Sequence, residues 1–109
     1  MANDRPRQTK RLEFHRIIEA LPGVAKAWFQ RPPKDQIQLD NTIVYTARPG
    51  LWYADNHAYI KGTWYTVTFI HSDPDSETVD AILELPYCSF DRQFISDDLY
   101  HDVFKIFYK

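Results

Sequence analysis

The chain has 109 residues, 44% of them hydrophobic and 16% aromatic, with a formal charge of −2. That length points to one domain with one modest core, and the aromatic share argues against disorder. The near-neutral charge disfavours nucleic acid and anionic membranes as partners, the single cysteine, Cys88, excludes an internal disulfide and a cysteine-based zinc site within one chain, and no apolar run is long enough to span a bilayer.

The opening residues, "MANDRPRQTK", are polar and carry Pro6. They lack the apolar region of a secretory signal. Residues 1–9 read as a flexible arm and residues 10–109 as a single domain. In "RLEFHRIIEALPG", Phe14, Ile17, Ile18 and Leu21 fall on one helical face, and Pro22-Gly23 stops the helix. "VAKAWFQ" reads as a strand whose Trp28 and Phe29 face opposite sides. "RPPKDQIQLDN" is a polar loop, and "TIVYTA" is the next strand. Pro49-Gly50 and Asp55-Asn56 are turn signals, so the stretch from Arg48 to Lys61 reads as a long, unusually aromatic loop.

"TWYTVTFIH" is the clearest strand. Its alternation puts Trp64, Thr66, Thr68 and Ile70 on one face and Tyr65, Val67 and Phe69 on the other. "HSDPDSE" follows. Pro74 suits the first turn of a helix, and Asp73 before it suits the cap. Val79, Ile82 and Leu83 form the apolar stripe of that helix, with Pro86 past its end. "YCSFDRQF" and "HDVFKIFY" are two further strands, joined by "ISDDLY" as an antiparallel hairpin. Cys88, Phe90, Arg92 and Phe94 alternate along the first of them. The expected fold is α+β, a mostly antiparallel sheet of about four to five strands with two helices packed on it.

Chemistry is thinly represented. His71, Asp73 and Asp75 could be metal ligands, but a strand-to-helix junction explains the same residues. Asp97, Asp98 and His101 resemble a carboxylate–histidine cluster, but Asp is also favoured in turns. Cys88, His101 and Asp102 are of the types that make a nucleophile, base and orienter, yet no glycine-rich elbow accompanies them. The three glycines, Gly23, Gly50 and Gly62, are too far apart to cradle a phosphate. No catalytic residue, metal or cofactor is expected, and a non-enzymatic role follows. The basic arm (Arg5, Arg7, Lys10, Arg11) reads as solvated, and His15 as a surface residue.

The stretch from Arg48 to Lys61 admits two readings, a loop folded back so that its aromatics cap the core or an interaction surface. Aromatics and arginine anchor interfaces, and the stretch from Arg48 to Lys61 gathers Arg48, Trp52, Tyr53, Asp55, Asn56, His57 and Tyr59. The acidic turn at Asp97 and Asp98 is a second candidate surface. Charge is also split along the chain. Residues 1–36 hold eight Lys/Arg against four Asp/Glu, and residues 73–102 hold one against nine. Such a chain suits head-to-tail contacts between copies, although two solvated faces of a monomer are the commoner outcome.

From about Leu12 onward the ordered set "IVY", "ADN", "DPDS", "CSFDR", "DDLYHDVF" and the closing aromatic strand resembles the tail terminator or tail completion proteins of long-tailed (siphovirus) bacteriophages and prophages, some of which are labelled minor capsid proteins. The resemblance implies a structural subunit. It would form a ring, hexameric in such families, at the head-proximal end of the tail tube, with tail tube protein and head–tail connector as partners. It would be assembled in the bacterial host cytoplasm and carried in the virion. A head-side connector role is the neighbouring alternative. A small ligand-binding α+β module or a metal-dependent hydrolase using His71, Asp73 or His101 are alternatives of another class.

Overall fold

The structure, a computed structural model, describes residues 6–30, 40–53 and 59–109. It is α+β. Helix α1 (Pro6–Glu19) precedes strands β1 (Lys26–Phe29), β2 (Thr42–Tyr53) and β3 (Tyr59–His71), then helix α2 (Glu77–Leu83) and strands β4 (Cys88–Ser96) and β5 (Leu99–Tyr108). The five strands form one sheet in the order β1-β2-β3-β5-β4, with β1 and β2 parallel and every other pair antiparallel. Because β3 and β4 both run against β5, they are parallel to each other, and a tight turn cannot join parallel strands. Helix α2 makes that crossover, and β5 then returns between them.

Both helices lie on one face of the sheet. Phe14 and Ile18 of α1 and Ile82 of α2 pack on Ile43, Tyr45, Tyr65, Val67, Phe69, Phe104 and Ile106. Phe14 stacks flat on Tyr65 at 4.0 Å and meets Tyr45 edge-on at 5.7 Å, a geometry that adds to simple burial. The alternation read in β3 is therefore correct, with Tyr65, Val67 and Phe69 fully buried. The helix face is narrower than expected, because Ile17 is 37% exposed. His15 is not a free surface residue: its Nδ1 lies 2.7 Å from the Tyr45 hydroxyl. Residues 6–9 belong to α1 and not to an arm. Pro6 opens the helix, in the first turn, where its missing N–H is no loss.

Of the stretch expected as a loop, Arg48 to Tyr53 and Tyr59 to Lys61 are strand. β2 and β3 pair continuously from Thr42 opposite Ile70 to Tyr53 opposite Tyr59, so Pro49-Gly50 lies inside a strand. Two physical reasons account for this. The Tyr45 carbonyl accepts the Gln30 N–H, so odd-numbered residues of β2 direct their main chain to the β1 side. β1 ends at Phe29, opposite Tyr45, so Pro49 has no β1 partner to disappoint. Gly50 serves packing: a Cβ there would come within 2.3 Å of the Trp64 ring. Gly62, directly opposite Gly50, makes the same room for Phe107, whose ring atom would lie 2.6 Å from a Cβ. The Trp64 and Phe107 rings thus lie side by side, 5.2 Å apart, on the face away from the helices.

Asp73 does not cap a helix. Ser76 accepts the Ser76–Thr78 capping bond, Thr78 N–H to Ser76 Oγ, and α2 begins one residue later than that cap. Asp73 instead closes a turn, accepting the Asp75 N–H at 2.9 Å with its side chain and the Ser76 N–H with its carbonyl. Pro74 sits at the second position of that turn, which its fixed φ favours as strongly as the first turn of a helix.

The β4–β5 hairpin is tighter than expected. Ile95, Ser96, Leu99 and Tyr100 are in the strands, leaving Asp97 and Asp98 as a two-residue turn. Both have positive φ, 53° and 63°, the signature of a type I′ turn matched to strand twist. The even alternation expected along β4 is broken at Asp91, a β-bulge. Phe90 faces Phe104 on the helix side, but Arg92 and Phe94 fall on the opposite side.

Candidate interaction surfaces

The structure divides the candidate interaction residues into three groups. Arg48, Trp52 and Tyr53 lie in β2 and Tyr59 in β3, on a hairpin arm and not on a loop; Tyr53 and Tyr59 are directly paired. Arg48 is exposed beside a groove of about 250 Å³ that Trp64, Thr66 and Lys105 also line. Asp55, Asn56 and His57 lie outside the described residues. Asp97 and Asp98 form the tip of the other hairpin, at the far end of the sheet.

The residue sets considered for catalysis are scattered. Cys88 pairs with Ile106, and His101 pairs with Phe94, so the two lie five residues apart along β5, about 17 Å. His101 and Asp102 are neighbours in a strand and point to opposite faces. Burial pushes the Cys88 thiol up to about 11, away from the reactive thiolate. His71 points into the core while Asp73 and Asp75 are exposed, and no group of three ligand-type side chains that could hold a metal occurs among the described residues.

What the structure does bring together is His71, Asp102 and Gln93. The His71 Nε2 lies 2.5 Å from Asp102 Oδ2, with the two residues 1% and 2% exposed. Gln93 donates its side-chain amide to the other carboxylate oxygen at 2.7 Å. A carboxylate only accepts, so Nε2 carries the proton, and the ring stacks on Phe69 at 4.7 Å. This pair was legible only in part. His71 shares the Phe69 face and Asp102 the Phe104 face, and a polar residue in phase with core positions signals a buried partner. Which partner depends on strand order, because β3 and β5 are neighbours only through the crossover.

An open surface lies along β4. Among the described residues it is an edge strand, paired with β5 on one side only, and an edge presents main-chain groups that another strand could meet. Every residue from Ser89 to Ser96 is exposed. Among them are Phe90 at 49%, Phe94 at 42% and Ile95 at 67%. Phe90 also walls a groove against Val79 and Leu83 of α2, with Asp75 and Asp80 on its rim and Asp102 at its floor. At the opposite end of the hairpin, Phe14, Ile17, Pro86, Tyr87, Tyr108 and Lys109 line a smaller, open apolar cavity of about 270 Å³. No helix among the described residues is long and apolar enough to cross a membrane.

No protein-family model matches the chain, and neither does any curated protein or solved structure.

Proposed function

We propose that this protein is a structural subunit of a long-tailed bacteriophage or prophage, a tail terminator or tail completion protein that assembles with copies of itself into a ring, hexameric in the family it resembles, at the head-proximal end of the tail tube. The observation that carries the reading is β4. A nine-residue edge strand with Phe90, Phe94 and Ile95 exposed is what proteins avoid unless another chain covers it. The bulge at Asp91 and the Asp91–Arg92 ion pair at 2.8 Å limit indiscriminate pairing without closing the edge. The split of basic and acidic residues along the chain supports contacts between unlike surfaces of successive copies, and the sequence resemblance supplies the phage setting.

The test is the light-scattering mass of the purified protein, alone and mixed with tail tube protein. A ring subunit gives a defined multiple of 12.9 kDa. A strict monomer under both conditions, together with normal phage tails when the gene is deleted, would refute the reading. Tails of normal length but heads left unjoined would place the ring on the head side.

A further inference from the structure

We propose that the tip of the β4–β5 hairpin of one copy inserts into the apolar cavity between α1 and the end of β5 of the next. This rests on the assembly reading above and names the two surfaces that would carry it. The knob is Ile95, the most exposed of the large apolar side chains among the described residues at 67%. It sits beside the Asp97-Asp98 turn, so the tip is apolar and doubly acidic. The hole is the cavity lined by Phe14, Ile17, Tyr87 and Tyr108.

Size, charge and placement agree. A cavity of about 270 Å³ has room for a branched aliphatic side chain such as that of Ile95. Its rim carries Lys109, whose ammonium lies 5.3 Å over the Tyr87 ring. Tyr108 of its lining donates its hydroxyl to Glu13 at 2.9 Å, and Lys10 lies 3.9 Å from that carboxylate. Lys109, which lines the cavity, is placed to face the two tip carboxylates. Knob and hole cannot meet within one chain. Ile95 is opposite Tyr100, and the hole is at Tyr108, eight residues and about 27 Å along β5. A contact between opposite ends of two copies is heterologous, the kind that closes into rings.

Such a contact makes a prediction that the contact of a single patch with itself does not. Ile95→Asp destroys the knob and keeps the hole; Ile17→Asp destroys the hole and keeps the knob. Each variant alone should be a monomer by light scattering. Mixed in equal amounts they should form a 1:1 dimer of twice 12.9 kDa, because one good knob then meets one good hole. Lys109→Glu should weaken assembly about tenfold, and that penalty should vanish when Asp97→Asn and Asp98→Asn are already present. Asn is chosen because it tolerates the positive φ of the turn. Melting curves verify folding, and Ile95→Ser and Ile17→Ser replace an aspartate variant that does not melt cooperatively. If wild type and both variants assemble alike, this interface is wrong while the assembly reading stands. If the variants are monomers but the mixture stays monomeric, the contact is not heterologous and the proposal fails. If wild type itself never assembles, with or without tail tube protein, the proposal and the reading fall together.

Discussion

Breaking the His71–Asp102 pair tests whether a buried polar contact holds the β3–β5 seam. His71→Phe keeps a ring able to stack on Phe69 and Tyr100, 4.7 and 5.5 Å away in the native protein. It leaves the Asp102 carboxylate, 2% exposed, with Gln93 as its one partner. Removing one member of a buried pair costs about 3–5 kcal/mol. Asp102→Val suits a strand and removes the carboxylate, but it strands the Nε2 of a histidine whose Nδ1 also has no partner among the described residues. The cost of an orphaned buried donor is about 1–3 kcal/mol. Gln93 adds little to that, because it is exposed and can turn to water. The double variant leaves no orphan. Its loss should be smaller than the sum of the two single losses by at least about 2 kcal/mol. Urea unfolding followed by tryptophan fluorescence measures all four corners of the cycle. In thermal melts each kcal/mol should appear as a drop of about 4–8 °C. Losses that add to within about 0.5 kcal/mol would show that the two side chains do not depend on each other, and the reasoning would fail.

Val67 is fully buried in the central strand, so Val67→Asp should abolish the cooperative urea transition. Ser76→Ala should lower stability by about 1 kcal/mol through the lost helix cap, while Asp73→Ala, on an exposed turn, should stay within about 0.5 kcal/mol; the reverse order in denaturant midpoints would restore Asp73 as the cap. Burial, with a smaller contribution from Tyr65, pushes the Tyr45 hydroxyl up to about 12. The unfolded chain ionises this group near 10 and so binds fewer protons above that pH. The stabilisation is complete below pH 10 and is lost between pH 10 and about 12, at most about 3 kcal/mol, and a Tyr45→Phe variant should lack that loss in urea titrations at pH 9 and 11. If the β2–β3 arm also meets a partner in the virion, replacing Tyr53 and His57 with Ala should leave the melting temperature within a few degrees, while phage complementation gives aberrant or unjoined tails; normal infectivity would remove the arm from the interface.

Local pattern carried most of the fold. The period-two alternation of Tyr65, Val67 and Phe69 named core positions without any knowledge of strand order, because alternate residues of a strand share one sheet face. Phe14 and Ile18 named the core face of α1 in the same way, at the helical spacing. The turn signals were less reliable, since Pro and Gly have two uses. Pro49-Gly50 reads as a turn from its residues alone. It becomes strand only because β1 stops short of Pro49 and because Trp64, from the neighbouring strand, needs the space above Gly50. Asp73 and Ser76 are both good caps by composition, and the turn around Pro74 decides between them. The bulge at Asp91 has no local signature, and the phase of His71 and Asp102 signals burial without naming the partner, because both features arise from how β4 and β3 meet β5. The candidate interface divides in the same way. The acidic Asp97-Asp98 turn is visible in the chain, but the exposure of Ile95 and the cavity at its opposite end exist only once β4 is placed at the edge and α1 is laid against the end of β5.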